Sequence, residues 1–279
     1  MPLAKQPRAV VTGAGSGFGR AFCLELARRG GRIVISDVDL EAARATAAEC
    51  SGAEAYAMGC DVAQLAQVEN LAAEADRRFG GVDLVINNAG VAVSGYIGEI
   101  AIEDWRWLME INLWGVIHGC HVFVPRLRRQ GSGHVLNVAS VAGLVHVPGL
   151  SPYCVAKAGV VALSECLRAE LHDAGIGVTV LCPSFARTNI ARRARGDDRF
   201  RPYAAKLVDT AKWNADDVVR VALRAVERDR LHALPQPDAR WMWRLKRWLP
   251  RRFHQMVPRA LALQARQLGL EVPAPRKAD

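Results

Sequence analysis

Residues 9–20 read AVVTGAGSGFGR, in which four glycines alternate with other residues directly after a short apolar run. The common dinucleotide pattern Gly-x-Gly-x-x-Gly does not fit, because its last position falls on Phe18 or on Arg20. The position between a predicted strand and a predicted helix still favours a nucleotide-binding loop. Glycines there let the backbone approach a pyrophosphate, and the helix N-terminus stabilises its negative charge. A purely structural turn is the alternative.

Short runs rich in Val and Ile alternate with longer amphipathic segments along the chain. The strand-like runs are RAVVT, RIVIS, AEAYAM, VDLVIN, HVLNVAS, GVTVLC and LHALP. Alternation at this spacing is typical of βαβ units, and right-handed crossovers place helices on both faces of the sheet. The sequence therefore predicts an α/β fold, a doubly wound parallel sheet of about seven strands over residues 1–235. A C-terminal helical appendage follows over residues 236–279.

This series of strands and helices is interrupted between Thr188 and Trp213. The segment is polar and aperiodic, and connections of such length inside a compact domain are usually functional lids or mobile segments. We therefore predict a lid here, to which Phe200 and Tyr203 contribute aromatic side chains.

The composition argues against several classes of protein. Apolar residues make up 51% of the 279 residues and charged residues 23%, a balance that argues against wholesale disorder. The seven cysteines form no Cys-x-x-Cys pair, so we predict neither a zinc site nor a disulfide framework. His118 and His121 lie three residues apart on a predicted helix without an acid or cysteine to complete a set, so we predict structural roles and no metal. The first residues contain no apolar signal-peptide core, which favours a cytoplasmic location.

Five motifs follow one another in order along the predicted sheet. They are Thr12-Gly13-x-x-x-Gly17-x-Gly19, Asn87-Asn88-Ala89-Gly90, Asn112, Ser140 and Tyr153-x-x-x-Lys157. Together they resemble the short-chain dehydrogenase/reductase family over about residues 8–235. The resemblance implies a Rossmann-like fold and an NAD(P)-dependent alcohol dehydrogenase or carbonyl reductase. It also implies a homodimer or homotetramer through the helices that carry Asn112 and Tyr153.

The chemistry of alcohol oxidation accounts for the last of these motifs. Hydride transfer to nicotinamide requires a group that takes the hydroxyl proton, and Tyr153 is the candidate. Lys157 lies four residues along the same helix face, where its ammonium can lower the pKa of the phenol. Ser140 can polarise the substrate oxygen, although a lone serine after a strand is commonly a helix cap and a lone Tyr-x-x-x-Lys a surface pair. The resemblance adds that Lys157 bonds the nicotinamide ribose and that Asn112 holds a water molecule that relays the proton.

Asp37 bears on which nicotinamide cofactor is used. It ends the second predicted strand, eighteen residues after Gly19, where a carboxylate accepts hydrogen bonds from the adenosine ribose hydroxyls. The same carboxylate would repel the additional phosphate of NADP, so we predict NAD as the cofactor. The alternative is that Asp37 caps the helix that begins near Leu40, a role that Asp39 could fill equally well.

The remaining cofactor contacts are implied by the resemblance. Asp61 and Val62 resemble the pair that contacts adenine, and Thr188 is the candidate for binding the carboxamide after Pro183. Ser184 stands where the family usually has glycine, which puts the local backbone conformation in question. The full predicted cofactor set is Gly13, Ser16, Gly17, Phe18, Gly19, Asp37, Asp61, Val62, Asn88, Ala89, Gly90, Tyr153, Lys157, Pro183 and Thr188.

The C-terminal appendage is strongly basic. Residues 239–279 contain ten Lys/Arg against two Asp/Glu, and residues 240–252 read RWMWRLKRWLPRR. On a helix, Trp241, Leu245, Trp248 and Leu249 form one apolar face among cations. Two interpretations stay open: an amphipathic helix on an anionic membrane surface, or a helix that packs on the body or a partner subunit and covers the substrate pocket. Nucleic-acid binding is not predicted, since no groove-reading module is recognisable and the rest of the chain is nearly neutral.

The predicted function is hydride transfer between NAD(H) and a hydrophobic secondary alcohol or ketone, of steroid, retinoid or fatty type. It rests on the aromatic lid and on apolar residues after Ser140. His146, in the loop between Ser140 and Tyr153, is predicted to bind the substrate with these two residues. Two alternatives stay open: an NADPH-dependent carbonyl or acyl reductase, and a nicotinamide-binding, membrane-associated regulatory module.

Overall fold

The computed structural model describes residues 4–190 and 194–275. The strands are β1 (Arg8–Thr12), β2 (Arg32–Asp37), β3 (Glu54–Gly59), β4 (Leu84–Asn87), β5 (Val93–Ser94), β6 (Gly133–Val138), β7 (Ile176–Leu181), β8 (Arg195–Gly196) and β9 (His232–Ala233). Seven of them form a parallel sheet in the order β3-β2-β1-β4-β6-β7-β9. The predicted doubly wound sheet is confirmed. In addition, β5 pairs with β8 in a separate two-stranded sheet.

Eleven α-helices lie in the described ranges. They are α1 (Gly17–Arg28), α2 (Leu40–Glu49), α3 (Leu65–Phe79), α4 (Ile102–Met109), α5 (Gly115–Gln130), α6 (Ala142–Val145), α7 (Ser151–Glu170), α8 (Arg201–Asp209), α9 (Ala215–Glu227), α10 (Pro237–Trp248) and α11 (Pro250–Gln267). A π-helical turn at Glu110–Trp114 separates α4 from α5. The predicted lid contains β8 and α8, and its positions 191–193 lie outside the described residues.

The strands are buried on both faces, which explains why they read as continuous apolar runs. In β1, Ala9 and Val11 point into a first core with α1, α2 and α9. Val10 points the opposite way, into a second core with α3, α5 and α7. Because β1 pairs with both β2 and β4, the chain reverses its direction of winding there, and a crevice opens above the carboxyl ends of these strands.

The appendage, formed by α10 and α11, packs against the second core. Ala239 and Phe253 are buried in it, and Met242, Trp243 and Leu245 pack around them. Of the four residues of the expected apolar face, Leu245 packs inward on the body, whereas Trp241, Trp248 and Leu249 are 65%, 71% and 44% exposed. None of the helices in the two described ranges is both long enough and apolar enough to span a bilayer.

Candidate active site

The glycine loop lies between β1 and α1 at the crevice. Gly13 and Gly17 have φ of +62° and +55°, a left-handed conformation that favours glycine. A Cβ on Gly13 would also lie 2.6 Å from the Cα of Ala89, so no side chain fits there. Ser16 is the N-cap residue of α1, and its hydroxyl makes no capping hydrogen bond within the described residues. The N–H groups at the start of α1 are thereby available to an anion.

The loop is braced by the segment that follows β4. The side-chain amide of Asn88 donates to the carbonyl oxygens of Thr12 (2.8 Å) and Gly13 (3.0 Å). The hydroxyl of Thr12 accepts from the backbone N–H groups of Asn88 and Ala89. Gly19 completes the contact, since a Cβ there would lie 2.2 Å from the Gly13 oxygen. The predicted residues of both motifs are thus in direct contact.

Asp37 lies at the end of β2 and points toward the glycine loop. One carboxylate oxygen accepts from the N–H of Gly15 at 2.8 Å, and the other accepts from the N–H of Asp39 at 3.0 Å. The helix-capping alternative for Asp37 is wrong, because Asp39 is the N-cap of α2 and accepts from the N–H of Ala42. Asp37 is 9% exposed, and its carboxylate has lone pairs beyond those that the two N–H groups use.

Asp61 and Val62 follow β3 at the same edge of the sheet. Asp61 accepts from the N–H of Ala63 at 3.0 Å, which forms a local turn. Val62 is buried, and its side chain lies against Gly115, where a Cβ would come within 2.6 Å of it. Nδ1 of His118 lies 2.9 Å from the carbonyl oxygen of Val62, so this histidine ties α5 to the loop. No set of residues able to hold a metal ion occurs in the described parts of the chain.

Asn112 lies in the π-helical turn, a feature often found at functional sites. Its amide is fully buried and forms two hydrogen bonds of 2.8 Å with the backbone N–H and C=O of Val91. A Cβ on Gly90 would lie 3.3 Å from Oδ1 of Asn112 and 3.5 Å from Nζ of Lys157. Gly90 is therefore the place where the segment after β4 meets Asn112 and Lys157.

Ser140, Tyr153 and Lys157 come together beyond the carboxyl end of β6. The hydroxyl of Ser140 accepts from the N–H of Ala142 at 3.1 Å, so it also stabilises the start of α6. Nζ of Lys157 donates to the carbonyl oxygen of Val138 at 2.8 Å and lies 5.8 Å from the ring centroid of Tyr153. The surface-pair alternative is wrong for Lys157, which is 3% exposed.

Burial dominates the protonation of these groups. It raises the pKa of Tyr153 to about 12, against a hydrogen bond with Ser140 that lowers this pKa. Burial also lowers the pKa of Lys157 to about 8. The expectation that Lys157 brings the Tyr153 pKa below its ordinary value is wrong for this structure, because the loss of water around the phenolate is the largest influence on this pKa.

Comparison with known proteins decides the family. The short chain dehydrogenase profile matches residues 7–199, which is more than half of the chain. The chain belongs to the short chain dehydrogenase family. Relatives that match it are named as oxidoreductases and dehydrogenases.

Three known proteins illustrate the similarity. The probable oxidoreductase EphD of Mycobacterium tuberculosis is 36% identical over 252 residues, which are 86% of this chain and 43% of that protein. This chain thus spans less than half of the length of EphD. The D-threitol dehydrogenase of Mycolicibacterium smegmatis is 34% identical over 220 residues, 77% of this chain and 83% of the relative. The crystal structure of a Burkholderia phymatum short chain dehydrogenase/reductase in complex with NAD has 33% identity, a TM-score of 0.82 and 97% coverage of both chains.

The segment after β7 departs from the usual short chain dehydrogenase pattern without strain. Ser184 is not among the non-glycine residues with positive φ, so glycine is not required there. Its N–H donates to Oε1 of Gln236 at 3.1 Å, and the buried Gln236 joins the start of α10 to this segment. Thr188 lies over the glycine loop, with its Cβ 3.6 Å from a Cβ built on Gly17. Sequence reasoning missed Gln236, whose one signal is a polar residue before the helix-initiating Pro237.

The loop after α6 is held by the appendage. His146 has φ of +53°, and its Nδ1 lies 2.8 Å from Nζ of Lys246. Lys246 also donates to the carbonyl oxygen of Leu144 at 2.7 Å. Burial, followed by the Lys246 ammonium, lowers the pKa of His146. Lys246 was not predicted as a site residue, because in the sequence it is one of many cations in a basic helix.

Proposed function

We propose that this short chain dehydrogenase transfers a hydride between NAD(H) and a secondary alcohol or ketone, with Tyr153 exchanging the proton. The observation that carries the proposal is the juxtaposition of Tyr153, Ser140 and Lys157 beyond β6. Buried ionisable groups with shifted pKa values at a crevice are typical of catalytic sites.

Each of the three side chains has a role in moving the proton. Because burial raises the pKa of Tyr153, the phenol is protonated at neutral pH and can donate to a carbonyl oxygen during reduction. During oxidation the phenolate accepts the proton of the alcohol hydroxyl, and the Lys157 ammonium stabilises that phenolate below about pH 8. The Ser140 hydroxyl donates a hydrogen bond to the substrate oxygen. A bound nicotinamide supplies the hydride acceptor or donor. Asn112 acts as a positioning residue by fixing Val91 beside Gly90.

The residues at the crevice fit a dinucleotide, and we propose NAD over NADP. A pyrophosphate requires a free helix N-terminus and an open approach, and α1 offers both beside Gly17, where a Cβ would meet no atom closer than 3.6 Å. The Asp37 carboxylate accepts hydroxyl donors and repels a phosphate, which favours an unphosphorylated ribose. Thr188, which lies beside Gly17, is proposed to bind the carboxamide.

A hydrophobic substrate, of steroid, retinoid or fatty type, is supported by the surroundings of Tyr153. The ring packs against an apolar cluster that includes Val93, Leu108 and Ala156. Val141 and Leu144, from the apolar loop after Ser140, are buried in the second core. They therefore lie behind the wall of the proposed substrate site and do not line it. His146 is proposed to contact the substrate from the rim, where Lys246 holds it.

We also propose a homo-oligomer that forms through α5 and the neighbouring α7. Trp114, the last residue of the π-helical turn before α5, is 47% exposed, and Val155 on α7 is 50% exposed. Large apolar side chains exposed close to a site are typical of subunit interfaces. Sedimentation velocity of the wild type and of Trp114→Arg tests this, with dissociation of the variant as the expected result.

The test of the function is nicotinamide absorbance with NAD or NADP and a panel of hydrophobic secondary alcohols and ketones. We expect turnover with NAD in the wild type and none with Tyr153→Phe, although this variant still binds NAD in a fluorescence titration. Binding of NAD without turnover of any panel member would favour the regulatory-module alternative. Turnover with NADPH in preference to NADH would favour the NADPH-dependent reductase.

A further inference from the structure

The outward sides of α10 and α11 carry an unusual stripe of side chains. On α10, Trp241, Arg244 and Trp248 lie at i, i+3 and i+7, on the side opposite to the buried Ala239. On α11, the stripe continues with residues at i, i+4, i+7, i+11 and i+14: Arg252, Met256, Arg259, Leu263 and Arg266. All eight are exposed, and these eight residues are called the outer stripe below. It consists of apolar and cationic side chains alone.

The charge of this region has a single sign. Residues 240–270 contain eight Lys/Arg and no Asp or Glu. Several exposed arginines on other helices lie beside acids, as in the Arg44–Glu41, Arg77–Glu74 and Arg220–Asp217 pairs. These parts of the surface mix both signs, whereas α10 after Ala239 and α11 carry positive charges with exposed apolar side chains between them.

We propose that the outer stripe docks the protein on the surface of an anionic phospholipid bilayer. Tryptophan rings favour the headgroup level, where one part of the ring is apolar and the N–H remains hydrated. Arginines between them reach lipid phosphates, and an amphipathic helix of this composition lies in the plane of the interface. A second copy of the chain fits less well, because two stripes of the same sign repel each other.

Docking would bring the substrate side of the protein toward the membrane. On the inward side of the same helices, Lys246 contacts the loop after α6 through the carbonyl oxygen of Leu144 and Nδ1 of His146. Tyr203 of α8 lies 3.3 Å from Gln264 of α11, and the hydroxyl of Tyr96 donates to the carbonyl oxygen of Pro273 at 2.7 Å. If the substrate is hydrophobic, as proposed above, it would then be drawn from the bilayer. This consequence rests on the proposed function, whereas docking itself does not.

The test is co-sedimentation of the full chain with vesicles of phosphatidylcholine alone or with phosphatidylglycerol added. We expect binding to the mixed vesicles at low salt, loss of binding at high salt and little binding to the neutral vesicles. A double variant, Trp241→Ala with Trp248→Ala, should weaken binding at least about tenfold. Each of Arg252→Gln, Arg259→Gln and Arg266→Gln should weaken it about fivefold.

Matched controls separate docking from general charge effects. Arg44→Gln and Arg220→Gln remove exposed arginines that lie beside acids, and binding should stay within about twofold of wild type. Because the outer stripe faces away from the core, thermal unfolding of its variants should match that of the wild type. Equal sedimentation with both vesicle types, or equal losses for control and stripe variants, would overturn the proposal. Vesicle binding needs no turnover, so its failure is distinguishable from failure of the proposed function.

Discussion

The nucleotide side and the substrate side of the crevice are held together differently. On the nucleotide side, around β1, β2 and β4, side chains bond the backbone of adjacent sheet segments, as Asp37 does with Gly15 and Asn88 with Thr12. On the substrate side, Lys246 holds His146 across 100 residues of sequence. Phe200 of the lid packs on Tyr96 with ring centroids 5.4 Å apart. The first side depends on short motifs at the ends of neighbouring strands of the sheet, and the second depends on contacts that the lid and the appendage make outside the sheet.

This difference teaches where changes in specificity can arise. The nucleotide side tolerates little change, because glycines 13 and 19 leave less space than one methyl group needs. The substrate side can be altered through the lid or the appendage while the sheet and its motifs stay intact. Cofactor and substrate preference are therefore expected to respond to different sets of variants.

Tyr153→Phe is expected to have the largest effect, because it removes the proton-exchanging group between the two sides. General acid–base catalysis contributes on the order of 10²–10⁴ in rate, so kcat should fall by that factor or below detection. Steady-state rates at saturating NAD provide the measurement. Activity within tenfold of wild type would show that another group exchanges the proton.

Lys157→Met separates stability from catalysis. Burial lowers the pKa of Lys157 to about 8 from its ordinary 10.5, so the folded state binds fewer protons than the unfolded state between these values. The free-energy cost of burying the charged Lys157 ammonium is largest below pH 8 and disappears as the pH rises to 10.5. The variant should therefore be more stable at pH 7 by about 1–3 kcal/mol, with the difference shrinking toward pH 10, and should lose activity. Urea unfolding at pH 7 and pH 9.5 measures this; a pH-independent difference would contradict it.

Asp37→Ala tests the nucleotide side. The loss of hydrogen bonds to a charged acceptor should raise the Kd for NAD by about 10–100-fold, with little effect on NADP. Fluorescence titration with both cofactors gives the values. Asp39→Ala is the matched control: it removes the α2 cap, which should lower stability by about 1 kcal/mol without changing the ratio of the two Kd values. Equal losses of NAD and NADP binding in Asp37→Ala would disprove the proposed role.

Lys246→Met tests the substrate side and should have the smallest effect. Without its bonds to Leu144 and His146, the loop after α6 is less restrained, so KM should rise about two- to tenfold with kcat nearly unchanged. The Kd for NAD should stay at the wild-type value. A change in NAD affinity instead would show that the appendage also supports the nucleotide side, and the comparison between the two sides would not hold.

Sequence reasoning identified short motifs that the structure places together at the crevice, as the contact of Asn88 with Thr12 shows. It could not locate the π-helical turn at Asn112, because one additional residue per turn leaves the apolar periodicity almost unchanged. It also misjudged the pKa of Tyr153, since pattern shows the neighbouring Lys157 but not the degree of burial. Gln236 and Lys246 went unnoticed because neither belongs to a motif.

The orientation of α10 shows why packing requires the three-dimensional structure. Apolar residues occur on two sides of this helix, Trp241 with Trp248 on one and Met242 with Trp243 on the other. The second set packs inward, because the small Ala239 allows a close approach to the second core and Phe253 fills the space beside it. The periodicity of the apolar residues alone therefore does not show which side of α10 packs inward.

The amino-acid sequence by itself determined the parallel sheet, the glycine loop and the identity of the residues beside β6. These features depend on residues that are close together in the sequence: the alternation of strands and helices, and glycines that can adopt positive φ. Only the tertiary structure decided how Asn112 meets Val91, which carboxylate caps α2, and which side of the appendage faces solvent. These outcomes depend on burial and on contacts between distant segments, which no local pattern contains.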